Sequence, residues 1–227
     1  MISDRQLTTV NSPLPSVTCL CPTYARFERL RDAVACFLLQ DYAGEKRLII
    51  LNDAPEPVAL GAAVAGVRVI NAPSRYPTLG DKRQALLRMA TTPLVAHWDD
   101  DDLYLPWHLS ACVRTLLAHP AARCAKPETA WYATGPHDSW TLQGVRRNTF
   151  EGQMLFDRAR ALDLGGYPPV DSGQAAALLD AFRRAGELQT WTPPRHELSY
   201  IYRWADGLTH VSTIRHADHV APGNRTA

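Results

Sequence analysis

Cysteine is scarce in this 227-residue chain: there are five, Cys19, Cys21, Cys36, Cys112 and Cys124, with no C-x-x-C pair among them. An odd count at scattered spacings excludes a disulfide framework and offers no zinc pattern, so free buried thiols in a reducing cytosol are expected. Excess charge is also missing. Lys and Arg number 24 against 23 Asp and Glu, a formal net charge of +1, so no global field draws the chain to nucleic acid or an anionic membrane. No apolar run approaches the roughly 20 residues needed to span a bilayer. The N-terminal MISDRQLTTVNSPLP is polar and lacks the apolar core of a secretory signal. The expectation is a chain without a transmembrane segment, located in the cytoplasm. No glycine-rich loop follows the first strand, which disfavours a triphosphate cradle and hence a nucleotidyltransferase. Internal repeats and low-complexity tracts are absent too.

What is present is an alternation of two periods. Val17–Cys21 is a short β-prone run that ends at Pro22. Leu30, Ala33, Val34, Phe37 and Leu38 then follow the i, i+3, i+4, i+7, i+8 spacing of an amphipathic helix. Arg47–Leu51 is a continuous apolar run that stops at Asn52-Asp53, as suits a strand buried on both faces of a parallel sheet. After Pro55 and Pro57, an Ala/Val-rich stretch suggests a short helix before a strand at Val67–Ile70. Thr78 and Asp81 form a capping-box pattern that opens a helix with Leu86, Met89 and Ala90 on one face. Leu94–Trp98 reads as the next strand and runs straight into Asp99-Asp100-Asp101-Asp102, after which Pro106 starts another helix.

This order implies an α/β fold, a doubly wound and mostly parallel sheet with right-handed crossovers. Beyond about residue 120 the rhythm changes to short β-prone pieces at Thr129–Ala133 and Met154–Phe156. One amphipathic helix follows, carrying Leu178, Ala181, Phe182 and Ala185. A single domain over residues 16–214 is expected, with a nucleotide-binding half at 16–119, an irregular half at 120–214, and polar tails at 1–15 and 215–227.

In open α/β sheets ligands bind beyond the carboxyl ends of the strands. Three polar clusters leave strands there: Pro22-Thr23-Tyr24, Asn52-Asp53 and the four-Asp run. Four adjacent carboxylates repel one another unless a cation neutralises them, and carboxylates select hard ions such as Mg²⁺ or Mn²⁺. The competing reading is a solvated acidic turn in which Asp102 caps the next helix. Convergence with the other clusters favours the metal. Asp53 has two open roles, a turn-forming Asp or a hydrogen-bond acceptor for a base or ribose. Lys82 and Arg83 at a helix start either meet phosphates or form an exposed helix surface.

CPTYAR, LIILNDA, TLGDKRQA and WDDDDLYLP occur in order, followed by GQMLFDR, LGGYPPVDSG and YIYRWADGLTH. Together they resemble family 2 glycosyltransferases of the GT-A fold over residues 16–214. The fold so implied is a Rossmann-like, mostly parallel sheet flanked by helices, with an irregular C-terminal acceptor-side half. The resemblance implies a nucleotide-diphospho-sugar donor, Mn²⁺ or Mg²⁺, and a single inverting displacement in which a carboxylate deprotonates the acceptor hydroxyl.

Carried to this sequence, the resemblance puts Pro22, Thr23 and Tyr24 around the nucleoside, Asp53 at the base, and Asp81, Lys82 and Arg83 near the nucleotide. Asp99 and Asp101 match a D-x-D pattern. Asp101 is then the expected metal ligand, Asp100 or Asp99 the ribose contact, and His210 a late ligand near metal or diphosphate. The chain departs from the family at Asp171-Ser172-Gly173-Gln174-Ala175, where the position expected to hold the base is Ala175. Asp171 either substitutes for the base or caps the following helix; without a base the chain is a nucleotide-sugar-binding module of impaired activity. Among the tryptophans Trp107, Trp131, Trp140, Trp191 and Trp204, sugar stacking competes with core packing, and Trp140, beside Asp138 and Ser139, is the acceptor-side candidate.

Overall fold

The apolar runs at 17–21, 48–51 and 94–97 become strands buried on both faces. The computed structural model describes residues 13–135, 139–147 and 150–204. The first strand, β1 (Val17–Thr23), is buried at every position and leads into helix α1 (Phe27–Leu38). Strands β2 (Lys46–Asn52) and β3 (Val67–Asn71) follow, then helix α2 (Leu79–Met89) and strand β4 (Leu94–His97). Strand β5 (Leu103–Tyr104) precedes helix α3 (His108–Ala118). The remainder comprises β6 (Cys124–Pro127), β7 (Thr129–Thr134), β8 (Thr141–Arg147), β9 (Leu155–Asp157), α4 (Arg158–Asp163), α5 (Gln174–Arg184), β10 (Leu188–Trp191) and β11 (Tyr200–Trp204).

Seven strands form the main sheet in the order β10-β6-β9-β4-β1-β2-β3. All neighbouring pairs are parallel except those of β9, which runs antiparallel between β4 and β6. This is the mostly parallel α/β sheet expected. It crosses the expected division near residue 120, since β6, β9 and β10 extend the sheet that β1–β4 begin. A second sheet, β5-β11-β7-β8, stands beside it.

Alternation along each strand sorts the core into two layers. Val17, Cys19, Cys21, Leu48 and Ile50 pack with Leu30, Val34 and Phe37 of α1 and Leu109, Cys112 and Leu116 of α3. Leu20, Ile49, Leu51 and Val95 point the other way, onto Leu86 and Leu87 of α2 and Leu178 and Phe182 of α5. Each such side chain contributes about 1.5–3 kcal/mol on burial. All five cysteines are free, and four are buried. Among the described residues no helix is long and apolar enough to cross a membrane.

Two local readings need correction. The stretch between β2 and β3 contains no helix, because Pro55 and Pro57 remove backbone donors and Gly61 and Gly66 adopt positive φ. Asp102 does not cap α3, whose N-cap is Trp107. The capping box of α2 is present: the Asp81 backbone N–H donates to Thr78 Oγ1 at 3.0 Å, and the Thr78 hydroxyl donates to the Asp81 carboxylate at 2.7 Å.

His108 lies in the core with no solvent exposure, 3.0 Å from Ser199 Oγ and among the rings of Tyr104 and Tyr200. Burial pushes its imidazole down to about 3. The folded state therefore holds a neutral ring over a range where the unfolded chain, with a pKa near 6.5, binds a proton. The associated stability is present above about pH 6.5 and is lost as pH falls toward 3. Asp100, pushed up to about 6 by burial, acts with the opposite sign, so variant and wild type must be compared pH by pH. We expect His108→Gln to flatten the acid-side loss by up to about 1.4 kcal/mol per pH unit. Urea unfolding between pH 4 and 7 measures this, and equal slopes in the two proteins would refute it.

Candidate functional site

Parallel register makes several strands end together. Thr23 lies beside Asn52, and Asn52 beside Asn71. The segments that follow β1, β2 and β4 are therefore delivered to one edge of the sheet. A cavity of about 830 Å³ opens there. It is lined by Pro22, Arg26, Arg83 and Asp99 to Asp102, and also by Glu151, Asp171, Ala175, Tyr132, Tyr202 and Trp204.

The four-Asp run is neutralised mainly by guanidinium groups drawn from distant segments. Arg83, on α2, places Nη2 2.5 Å from Asp99 Oδ1. Arg26 places Nη1 2.5 Å from Asp101 Oδ2 and 3.2 Å from Asp100 Oδ1. Arg29 stands 3.7 Å from the same Asp101 oxygen. Thr23 donates its hydroxyl to Asp100 at 2.7 Å. Asp102 accepts from the Tyr200 hydroxyl and, at 2.9 Å, from the Arg203 backbone N–H.

Burial, reinforced by Asp101 and Asp99, raises Asp102 well above the usual carboxylate range. For Arg83 burial works against the charge, but Asp99 more than compensates and holds it above its ordinary value. The side chains alternate in exposure. Asp99 and Asp101 are 19% and 11% exposed at the side chain against 3% for Asp100, and all four line the cavity.

A second cluster lies deeper. Lys82 Nζ donates to Asp53 Oδ1 and to the Thr23 carbonyl, both at 2.5 Å, and the Tyr76 backbone N–H donates to Asp53 Oδ2 at 3.0 Å. Burial lowers Lys82, with Asp53 opposing the shift. Asp53, Lys82, Thr23 and Tyr24 do not line the cavity that Asp101 faces. They connect to it through Thr23, whose carbonyl binds Lys82 and whose hydroxyl binds Asp100. Asp81 is also outside the cavity, its carboxylate engaged in the capping box.

The start of α5 presents Ala175 to the cavity, a methyl where an acid was expected. Asp171 does not cap α5, whose N-cap is Gly173 at φ +78°. Its Oδ1 instead accepts from the Leu79 backbone N–H at 3.1 Å. That bond, with Gly80 N–H to the Val170 carbonyl at 3.0 Å, stitches the start of α2 to the loop before α5. The approach is so close that a Cβ at position 80 would lie 1.8 Å from the Pro168 carbonyl oxygen.

Sequence reasoning missed several groups at this site. Arg26 sits inside the CPTYAR motif without any periodic signal of its own. Glu151, raised by burial, lines the cavity beside Gly152, and a Cβ on Gly152 would fall 2.8 Å from an Asp99 oxygen. Phe150, Tyr202, Tyr132 and Trp204 make an aromatic wall, with Phe150 and Tyr202 stacked at 4.3 Å and Arg146 3.7 Å above Tyr132. Of the tryptophans considered for sugar stacking, Trp204 lines the cavity. Trp140 does not; Arg203 lies over its ring at 5.3 Å.

The donor chemistry of Asp99 and Asp101 suits a hard cation, but the arrangement does not fit one. Asp101 Oδ2 already holds Arg26 with Arg29 nearby, and Asp99 holds Arg83. Among the described residues no three His, Cys, Asp or Glu side chains are grouped to hold a metal ion. A dication on Asp101 would have to displace Arg26. His210 lies outside the described residues, as does Asp138.

The profile of the family described as "Glycosyl transferase family 2" matches residues 18–179. Among solved structures the chain is similar to S. aureus TarS 1-349 in complex with UDP-GlcNAc. The identity is 13% and the TM-score 0.66, over 87% of this chain and 61% of that one. It is also similar to the mannosyltransferase PcManGT from Pyrobaculum calidifontis in complex with GDP-Man and Mn²⁺. There the identity is 18% and the TM-score 0.63, over 92% and 62%. The chain spans about three fifths of the length of each. No curated protein matches it.

Breaking a buried ion pair by removing one partner costs about 3–5 kcal/mol, because the remaining charge is stranded. Lys82 and Asp53 are each 5% exposed at the side chain. We therefore expect Lys82→Met to lower stability by about 3 kcal/mol, and the double variant Lys82→Met with Asp53→Asn to recover part of it. A double-mutant cycle by urea denaturation measures both; a single-variant loss under about 1 kcal/mol would contradict a buried pair.

Proposed function

Because the chain belongs to glycosyl transferase family 2 and has the GT-A fold, we propose that it moves a sugar from a nucleoside-diphosphate donor to an acceptor hydroxyl. The observation that carries this reading is the shared cavity. Acidic and guanidinium groups from the loop after β1, from α2 and from the segment after β4 line it together with an aromatic wall. The first set suits a diphosphate and ribose. Flat aromatic faces suit the apolar face of a sugar.

The reaction is an inverting displacement. The acceptor oxygen attacks the anomeric carbon, the bond to the diphosphate breaks, and the departing negative charge is met by fixed positive groups. Arg26 and Arg83 are positioned for that task. Pro22 lines the cavity beside the nucleoside, and Thr23, with Asp53 held by Lys82, lies behind it. One of the similar proteins binds GDP-Man with Mn²⁺. In this chain the carboxylates such an ion would need, Asp99 and Asp101, are already held by Arg83 and Arg26.

A carboxylate must take the acceptor's proton. With alanine at 175, the carboxylates that line the cavity near α5 are Asp171 and Glu151. Asp171 spends one oxygen on the start of α2. Glu151 is the better base, because burial raises its affinity for a proton. A second reading, a nucleotide-sugar-binding module without turnover, is favoured by Ala175 alone.

Donor hydrolysis and transfer assays over a panel of nucleotide sugars separate the two. If the chain is an enzyme with Glu151 as base, wild type turns over, and Glu151→Gln lowers kcat by at least about 100-fold without weakening nucleotide affinity. Nucleotide binding without turnover, with turnover gained in Ala175→Asp, selects the second reading. If no nucleoside diphosphate raises the melting temperature, both readings fall.

A further inference from the structure

The Asp run already has a cation bridging it. Arg26 reaches Asp101 at 2.5 Å and Asp100 at 3.2 Å through one nitrogen, and its side chain is 26% exposed toward the cavity. The backbone is bent to place it there. Ala25, the residue before it, has φ +50°, the one positive value on a non-glycine residue among the described residues. Such a conformation is unfavourable for a residue with a Cβ and persists only where the surroundings enforce it. Arg26 itself is the N-cap of α1 and makes no side-chain capping bond, so helix initiation does not explain its position. Behind it Arg29, 5% exposed at the side chain, stands 3.7 Å from Asp101, and its Nη2 is buried without a hydrogen-bond partner.

A guanidinium carries five N–H donors in a rigid plane. One edge can hold carboxylates while another meets phosphate oxygens, which is the bridging task a dication performs between an Asp pair and a pyrophosphate. Arg83 repeats the arrangement one step along the wall, with Nη2 on Asp99 and Nε unpartnered. Building on the donor-site reading above, we infer that Arg26 is the resident counter-cation of Asp100 and Asp101 and receives the donor's diphosphate. Nucleoside-diphosphate binding by this chain then does not require a divalent ion.

The test is calorimetric titration of the whole chain with UDP, GDP, ADP and CDP, in EDTA and again in Mn²⁺. Wild type is expected to bind its preferred nucleotide with affinities that agree within about threefold in the two buffers. Arg26→Gln is expected to lose at least tenfold in EDTA and to regain affinity in Mn²⁺, because the freed Asp pair then accepts the ion. Arg26→Lys keeps the charge but loses the planar fork, and should fall between the two.

The inference is overturned if wild type binds at least tenfold more weakly in EDTA than in Mn²⁺, or if Arg26→Gln binds like wild type in EDTA. Should Arg26→Gln fail to fold with Asp101 uncompensated, the wild-type comparison and Arg26→Lys still decide. Absence of binding by any nucleotide in either buffer removes the donor site itself, an outcome distinct from binding that needs the metal.

Discussion

Four carboxylates on consecutive residues, three of them buried, are the constraint around which this molecule is arranged. Like charges about 4 Å apart repel by about 4 kcal/mol at an effective dielectric near 20. A sheet edge could not keep such a run without counter-charge, and the fold brings it from far along the chain. Arg26 comes from the loop after β1, Arg83 from α2 and Arg203 from β11, whose Nε donates to the Asp101 carbonyl at 2.6 Å. Arg203 is in turn anchored to Asp32 on α1 at 2.6 Å. The acidic run therefore ties both sheets and two helices together at the cavity that it lines.

Close backbone approaches set the shape of that cavity. Gly80 lets the first turn of α2 touch the loop that precedes α5, and Gly152 lets the segment before β9 lie against Asp99. Neither contact tolerates a Cβ without displacement of backbone or of the Asp99 carboxylate. These contacts explain how β9, inserted antiparallel between β4 and β6, brings Glu151 to the cavity. They also explain why Asp171 serves the start of α2 rather than the start of its own helix.

The two walls have different chemistry and different origins. The charged wall is built from the ends of buried strands, so its backbone is held by the sheet. The aromatic wall comes from β7, β11 and the segment before β9, where Tyr202 stacks with both Phe150 and Tyr132. The alanine at 175 leaves the junction between the walls without an acid from α5, and the carboxylates nearest that gap belong to other segments.

Much of this was written locally in the sequence. The strands β1 to β4, to within two residues at their ends, and the helices α1 and α2 with its capping box all follow from local signals, apolar periodicity above all, carried by neighbouring residues. The helix expected between β2 and β3 failed because two prolines and two glycines outweighed a weak apolar pattern. The second sheet, the placement of β9 and the partners of each Asp were not legible. Arg26 and Asp101 are 75 residues apart, and Arg203 and Asp32 are 171 apart. Periodicity specifies which face of an element is buried, but a charged side chain's partner depends on the packing of elements in space. The sequence by itself determined that acids would collect at one sheet edge; only the tertiary structure decided that arginines would neutralise them, because those arginines reach the run from segments remote along the chain.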